Sequence, residues 1–266
     1  MTDFTTLHLE HDPRGFATLW LNRPDKHNAF NAQMIGELIQ ALDLIAADAS
    51  LRFLLLRGRG KHFCAGADLA WMQQAAGLDY DANLRDAHQL AELMYRLAEL
   101  PMPTLAVVQG AAFGGAVGLV SCCDMAIGTH DSLFALSEVR IGLAPAVISP
   151  FVVQALGERA TRRYALTAER FDGHCARELG LLAATCAADE LDAQCHRWIA
   201  QLLQNSPQAM RVSKRLLRDV GSGALSADLR ARTEADIAGL RVSAEGQEGL
   251  NAFLEKRQPS WQESHP

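Results

Sequence analysis

The sequence predicts an α/β fold with a helical C-terminal part, and three observations carry that prediction. As far as Pro150, short apolar runs suited to strands alternate with longer stretches of helical spacing. Beyond Pro150, Ala-, Leu- and Arg-rich helical faces dominate and strand patterns become scarce. The 266 residues, 49% hydrophobic and 21% charged, suffice for one sizeable core with an appended part. The expected division is 1–200 for the α/β core and 201–266 for the helical part.

The elements follow in order. Residues 5–10 and 15–21 read as paired strands around the turn Asp12-Pro13-Arg14-Gly15. The segment NRPDKHNAF is a loop, and Asn31 caps a helix over 33–48. A strand at 52–58 leads into the glycine-rich loop GRGKHFCAGAD, then helices at 69–77 and 81–100. Thr104–Val108, DMAIG and SLFAL are further short strands. Helices are expected at 148–156, 158–167, 173–179, 189–204, 207–219 and 226–245, with one late strand near 183–187.

From Leu100 to Cys123 no residue is charged, a length that raises the question of a membrane span. Pro101, Pro103, Gln109 and four glycines interrupt it, so a strand, a tight turn and a buried helix are expected instead. The net charge of −6 argues against nucleic acid as a partner. Six cysteines show no metal-ligand spacing, and the adjacent Cys122 and Cys123 suit a reduced interior. The N-terminus lacks a basic patch followed by an apolar run, so a cytoplasmic protein without membrane attachment is expected. Nine histidines offer no ligand pairing and no metal is expected; nor is there a G-x-S-x-G nucleophile elbow.

Chemistry concentrates in two strand–glycine–helix turns. One is HFCAGADLAWM, with the Ala67 N–H at its mouth; the other is VQGAAFGGAVGL, with Gly114 and Gly115 opening a helix. The first turn of a helix has unsatisfied N–H groups, and glycine lets a ligand oxygen approach them. Two such donors on one oxygen form an oxyanion hole. Either motif alone is more often a tight turn, and the spacing in the second does not match a dinucleotide G-x-G-x-x-G. The acid is Glu138, which shares the stretch LFALSEVRIGLAPAVISP with only one other charge, Arg140. Apolar surroundings raise a carboxylate's pKa, which suits a group that both takes and gives a proton. An ion pair with a neighbouring arginine is the structural alternative. His62 reads as a loop histidine.

NRPDKHNAF, FCAGADL, VQGAAFGGAVGL with its following CCD, SEVRIGL and EGQEGLNAFLEKRQPSW together resemble the crotonase (enoyl-CoA hydratase/isomerase) superfamily over nearly the whole chain. The resemblance implies a crotonase-like repeated ββα core with a C-terminal helical domain that assembles homotrimers or dimers of trimers. It implies an acyl-CoA substrate, and no cofactor beyond the coenzyme A that is part of that substrate. The thioester oxygen would sit between the N–H groups of Ala67 and Gly115, beside Gly114, with Glu138 as acid and base. Hydratases of the family carry a second glutamate at the position of Gly118; its absence implies either one-acid hydration or a Δ3,Δ2-enoyl-CoA isomerase. A non-catalytic CoA- or RNA-binding member is the further alternative. Gly118 is expected to enlarge the acyl pocket. Lys26 is expected at the CoA phosphates, the backbone of Ala65, Gly66, Asp68 and Leu69 beside the adenine, and Phe253 with Lys256 near the nucleotide from a neighbouring subunit. Arg140 is expected as a structural partner rather than a substrate contact. The wording LSEVRIGLAPAVISP resembles bacterial hydratases of 3-methylglutaconyl-CoA or isohexenylglutaconyl-CoA, in leucine or acyclic isoprenoid degradation.

Overall fold

The structure is a computed structural model that describes residues 4–222 and 224–263. Strands β1 (Leu7–Asp12) and β2 (Phe16–Leu21) form the expected antiparallel pair, with Gly15 N–H donating to Asp12 O across the turn. Helix α1 (Ala32–Ala47) starts at Asn31, whose side chain accepts from the Met34 N–H. Then come β3 (Phe53–Gly58), α2 (Leu69–Ala75), α3 (Tyr80–Glu99), β4 (Thr104–Val108), β5 (Ala111–Phe113), α4 (Gly115–Cys122), β6 (Met125–Thr129) and β7 (Leu133–Ala135). Helices α5 (Ser149–Leu156) and α6 (Glu158–Thr167), strand β8 (Phe171–Asp172), helix α7 (Gly173–Glu178) and strand β9 (Ala184–Cys186) complete the α/β part. Helices α8 (Leu191–Leu203), α9 (Pro207–Ser222), α10 (Ala227–Val242), α11 (Ala244–Glu255) and α12 (Ser260–Glu263) follow.

The main sheet runs β1-β2-β3-β4-β6-β9 and is parallel from β2 onward. Its central strands are buried along their length, as befits a parallel sheet covered on both faces. Leu54, Leu56, Ala106 and Val108 join the core with α1, α3 and α4. Phe53, Leu55, Leu105 and Val107 face the other way and pack against Leu191, Cys195, Ile199 and Leu202 of α8. A second sheet has the order β5-β7-β8.

Two sequence expectations change. The helix expected over 226–245 ends at Val242; Ser243 then caps α11, accepting from the Gly246 N–H. The chain turns so tightly there that a side chain at 246 would collide with Leu240 O. Strands β5 and β8 were not expected, because two or three residues are too few to show a period. Among the described residues no helix is long and apolar enough to cross a membrane, and the uncharged run 100–123 divides into β4, β5 and α4.

Candidate active site

The two glycine turns lie side by side because the backbone ties them together. Cys64 N–H donates to Ala111 O at 3.0 Å, and Phe113 N–H donates to Cys64 O at 3.1 Å. On the outer side Phe30 pairs with Ala67 in parallel fashion: Phe30 N–H donates to Gly66 O and Asp68 N–H to Phe30 O. In such a pairing the central residue's own amide points away from its partner strand. The Ala67 N–H is thereby left free of Phe30, and it has no acceptor among the described residues. Gly115 is the first residue of α4, and its N–H likewise has none. Gly114 makes the entry to that helix with φ 54°, a conformation that disfavours any side chain.

The same backbone delivers the acid. Strand β7 pairs with β5, and Gly114 N–H donates to Ala135 O at 2.9 Å, so the chain leaving β7 passes directly over the start of α4. Residues 138–141 form a 3-10 turn. The Glu138 carboxylate lies against Gly114: a Cβ added there would sit 3.2 Å from Oε1. Its Oε2 is buried without a hydrogen-bond partner. Burial pushes the Glu138 pKa up, opposed only by a bond to its own backbone amide. No ion pair holds it among the described residues. Arg140, in the turn, instead donates to Ala168 O at 2.8 Å and serves the fold.

Ala65, Gly66, Ala67, Gly114, Gly115 and Glu138 all line one cavity of about 400 Å³. Its remaining walls are Phe113, Trp71 and Met72 of α2, residues of α3, and Ile141, Leu143 and Val147. Most residues expected at the CoA phosphates and adenine do not line this cavity. Asp68 is engaged as the cap of α2 and in a 2.9 Å ion pair with Arg23, and it does not line the cavity. Leu69 is 77% exposed, and Phe253 82% exposed; neither lines the cavity, nor do the exposed Lys26 and Lys256.

Gly118, expected to enlarge the acyl pocket, does not itself line the cavity. A Cβ there would lie 2.9 Å from Ile148 Cβ and closer still to Ile148 Cγ2, with Met94 Cε at 3.2 Å. The missing side chain is replaced by Ile148 packing onto bare helix backbone. His62 is likewise structural. Its Nδ1 accepts the Ala111 N–H at 3.0 Å, and its ring meets His27 edge-on.

The α3 wall was missed from sequence, although Asn83, Asp86, Ala87 and Leu90 sit at i, i+3, i+4 and i+7 on one helix face. That mixed polar and apolar face reads as ordinary solvated helix until the tertiary fold sets it over a cavity. Among the described residues no group of histidines, cysteines or carboxylates is placed to hold a metal ion.

Two free amides lining one cavity with a carboxylate whose Oε2 has no partner can polarise a carbonyl and move a proton on the adjoining carbons. Comparison with known proteins agrees with this chemistry. The family described as enoyl-CoA hydratase/isomerase matches residues 12–264. The crystal structure of an enoyl-CoA hydratase from Shewanella pealeana is 49% identical, covers 97% of each chain and aligns with a TM-score of 0.93. An enoyl-CoA hydratase of Alternaria alternata is 33% identical, over 82% of this chain and 72% of its own. A trans-2-decenoyl-acyl-carrier-protein isomerase of Streptococcus mutans is 29% identical, over 93% of this chain and 94% of its own. The chain belongs to the enoyl-CoA hydratase/isomerase family.

Proposed function

We propose that the chain hydrates the 2,3 double bond of a branched 2-enoyl-CoA thioester, with Glu138 as the single acid–base group. The observation that carries this reading is the Glu138 carboxyl, unpaired at Oε2 and lying against Gly114 in the cavity it shares with Ala67 and Gly115. The thioester oxygen accepts from the Ala67 and Gly115 N–H groups, which draws electrons from C3. Ionised Glu138 takes a proton from water as its oxygen bonds to C3. The electron pair of the double bond moves into the thioester as an enolate, stabilised by the two amides. Glu138 then returns the proton to C2.

The raised pKa makes Glu138 a stronger base for the first half of that cycle and brings it nearer the operating pH, where one group can serve first as base and then as acid. Lys26, Phe253 and Lys256 belong to the proposal as contacts of the CoA moiety made at the protein surface or across a subunit boundary. A homotrimer or dimer of trimers is supported by the exposed Leu225, Val242, Phe253 and Leu254. A cytoplasmic setting is supported by six free cysteines.

For the acyl group, the sequence resemblance suggests 3-methylglutaconyl-CoA or isohexenylglutaconyl-CoA. Either brings a free carboxylate at its far end, and among the described residues no lysine, arginine or histidine lines the cavity. We therefore favour an acyl chain that keeps the branch and lacks the charge.

The second reading, double-bond isomerisation, is favoured by one observation: Ile148 fills the space in which a second carboxylate would lie. Loss of enoyl absorbance is expected with crotonyl- and 3-methylcrotonyl-CoA, and more slowly with 3-methylglutaconyl- and isohexenylglutaconyl-CoA. Conversion of a 3-enoyl- to a 2-enoyl-CoA without hydration would replace the hydratase reading by the isomerase one. The Glu138→Gln protein is expected to lose about 10²- to 10⁴-fold in kcat while retaining affinity for butyryl-CoA. Unchanged turnover would remove Glu138 from the mechanism.

A further inference from the structure

The hydration chemistry leaves one carboxylate of the cavity unused. Asp86 projects from the same face of α3 as Ala87 and Leu90 and lines the cavity with them. It makes no hydrogen bond or ion pair among the described residues. Asn83, one turn earlier, is already committed through Nδ2 to the carbonyls of Leu78 and Asp79. The adjoining basic residues Arg85 and His88 are exposed and do not line the cavity. Arg140 is spent on Ala168 O. The remaining lining of this wall is apolar, with Trp71, Met72, Ala75, Leu143 and Val147. Such a wall screens charge poorly, so a fixed carboxylate there acts on any ligand charge across the cavity.

We infer that Asp86 is a specificity-determining residue of the acyl end, selecting chains that are uncharged beyond the double bond and disfavouring those that end in a carboxylate. This inference rests on the reading of the cavity as an acyl-thioester site. A substrate carboxylate entering the cavity meets Asp86 and Glu138 and no compensating cation from its lining. Anion–anion repulsion in a partly desolvated space costs affinity, whereas an uncharged chain meets only the apolar wall.

The test uses two thioesters that differ by a terminal carboxylate, crotonyl-CoA and glutaconyl-CoA. For the wild-type protein, kcat/KM is expected to favour crotonyl-CoA by about tenfold or more, with the preference shrinking as salt is raised. In Asp86→Asn, which keeps the shape and removes the charge, that ratio is expected to move about tenfold toward glutaconyl-CoA. A wild-type protein that takes glutaconyl-CoA as well as crotonyl-CoA overturns the inference. So does an Asp86→Asn protein, folded by its melting curve, whose ratio has not moved.

If neither thioester is hydrated, the hydratase reading fails by itself. The Kd ratio of the unreactive pair butyryl-CoA and glutaryl-CoA, measured by calorimetry on both proteins, then decides the role of Asp86 by the same criterion.

Discussion

Glu138 holds its charge in a place where burial penalises it, and this has consequences in two directions. For activity, the ionised form is the base, so kcat/KM should fall as pH drops through the raised pKa, above the ordinary carboxylate range. A pH profile whose acid limb lies at the usual carboxylate value would contradict this. For stability, the folded protein binds that proton more tightly than the unfolded chain does. The favourable contribution is complete below the ordinary carboxylate pKa and is lost as pH rises through the folded value. Glu138→Gln carries no such loss. Its melting temperature should therefore exceed that of the wild type at pH 8 and approach it at pH 4. Gly118 tests a different effect. Gly118→Ala forces a Cβ into Ile148 and should destabilise by about 1–3 kcal/mol, as overpacking of a filled core does. Adding Ile148→Ala should recover part of that loss in urea unfolding, because the two residues share one volume.

The elements matter through the backbone they align. Strand β5 is only three residues long, yet it places the start of α4 beside the Ala67 turn and beneath the end of β7. The amide of Gly115 is therefore aimed by a helix start, and the entry depends on the positive φ at Gly114. Gly114→Ala strains that entry by roughly 1 kcal/mol and crowds Glu138 Oε1. We expect kcat to fall at least about tenfold, since misaiming an oxyanion donor is costly beyond the lost stability. A Gly114→Ala protein with normal kcat would show that the donor geometry tolerates the change. Asn31 at the start of α1 is a plainer case: Asn31→Ala should cost about 1 kcal/mol of stability, by urea unfolding.

Across the whole molecule, the C-terminal helices are tied to the sheet by buried cations. Arg52, 6% exposed at the start of β3, donates to the carbonyls of Leu203, Asn205 and Trp261. Lys214 of α9 donates to Met102 O and pairs with Asp124 at 2.8 Å. Arg52→Met removes donors from three carbonyls at once. We expect a loss of about 2–4 kcal/mol, read as a lower urea midpoint, with faster hydrogen exchange near 203–205. Unchanged exchange there would mean that Arg52 is not what holds this part of the chain to the sheet. That tie could not be read from the sequence, because Arg52 and Trp261 are remote along the chain.

Local chemistry was enough to foresee the strand–helix alternation, the cap at Asn31, both glycine turns and an acid in apolar surroundings, because period, capping and burial tendency are carried by neighbouring residues. The pairing of Cys64 with Ala111 and Phe113, the seating of Ile148 on Gly118, and the α3 face carrying Asp86 over the cavity are contacts between distant segments. Those depend on which surfaces meet once the chain has closed, and no local pattern encodes the meeting.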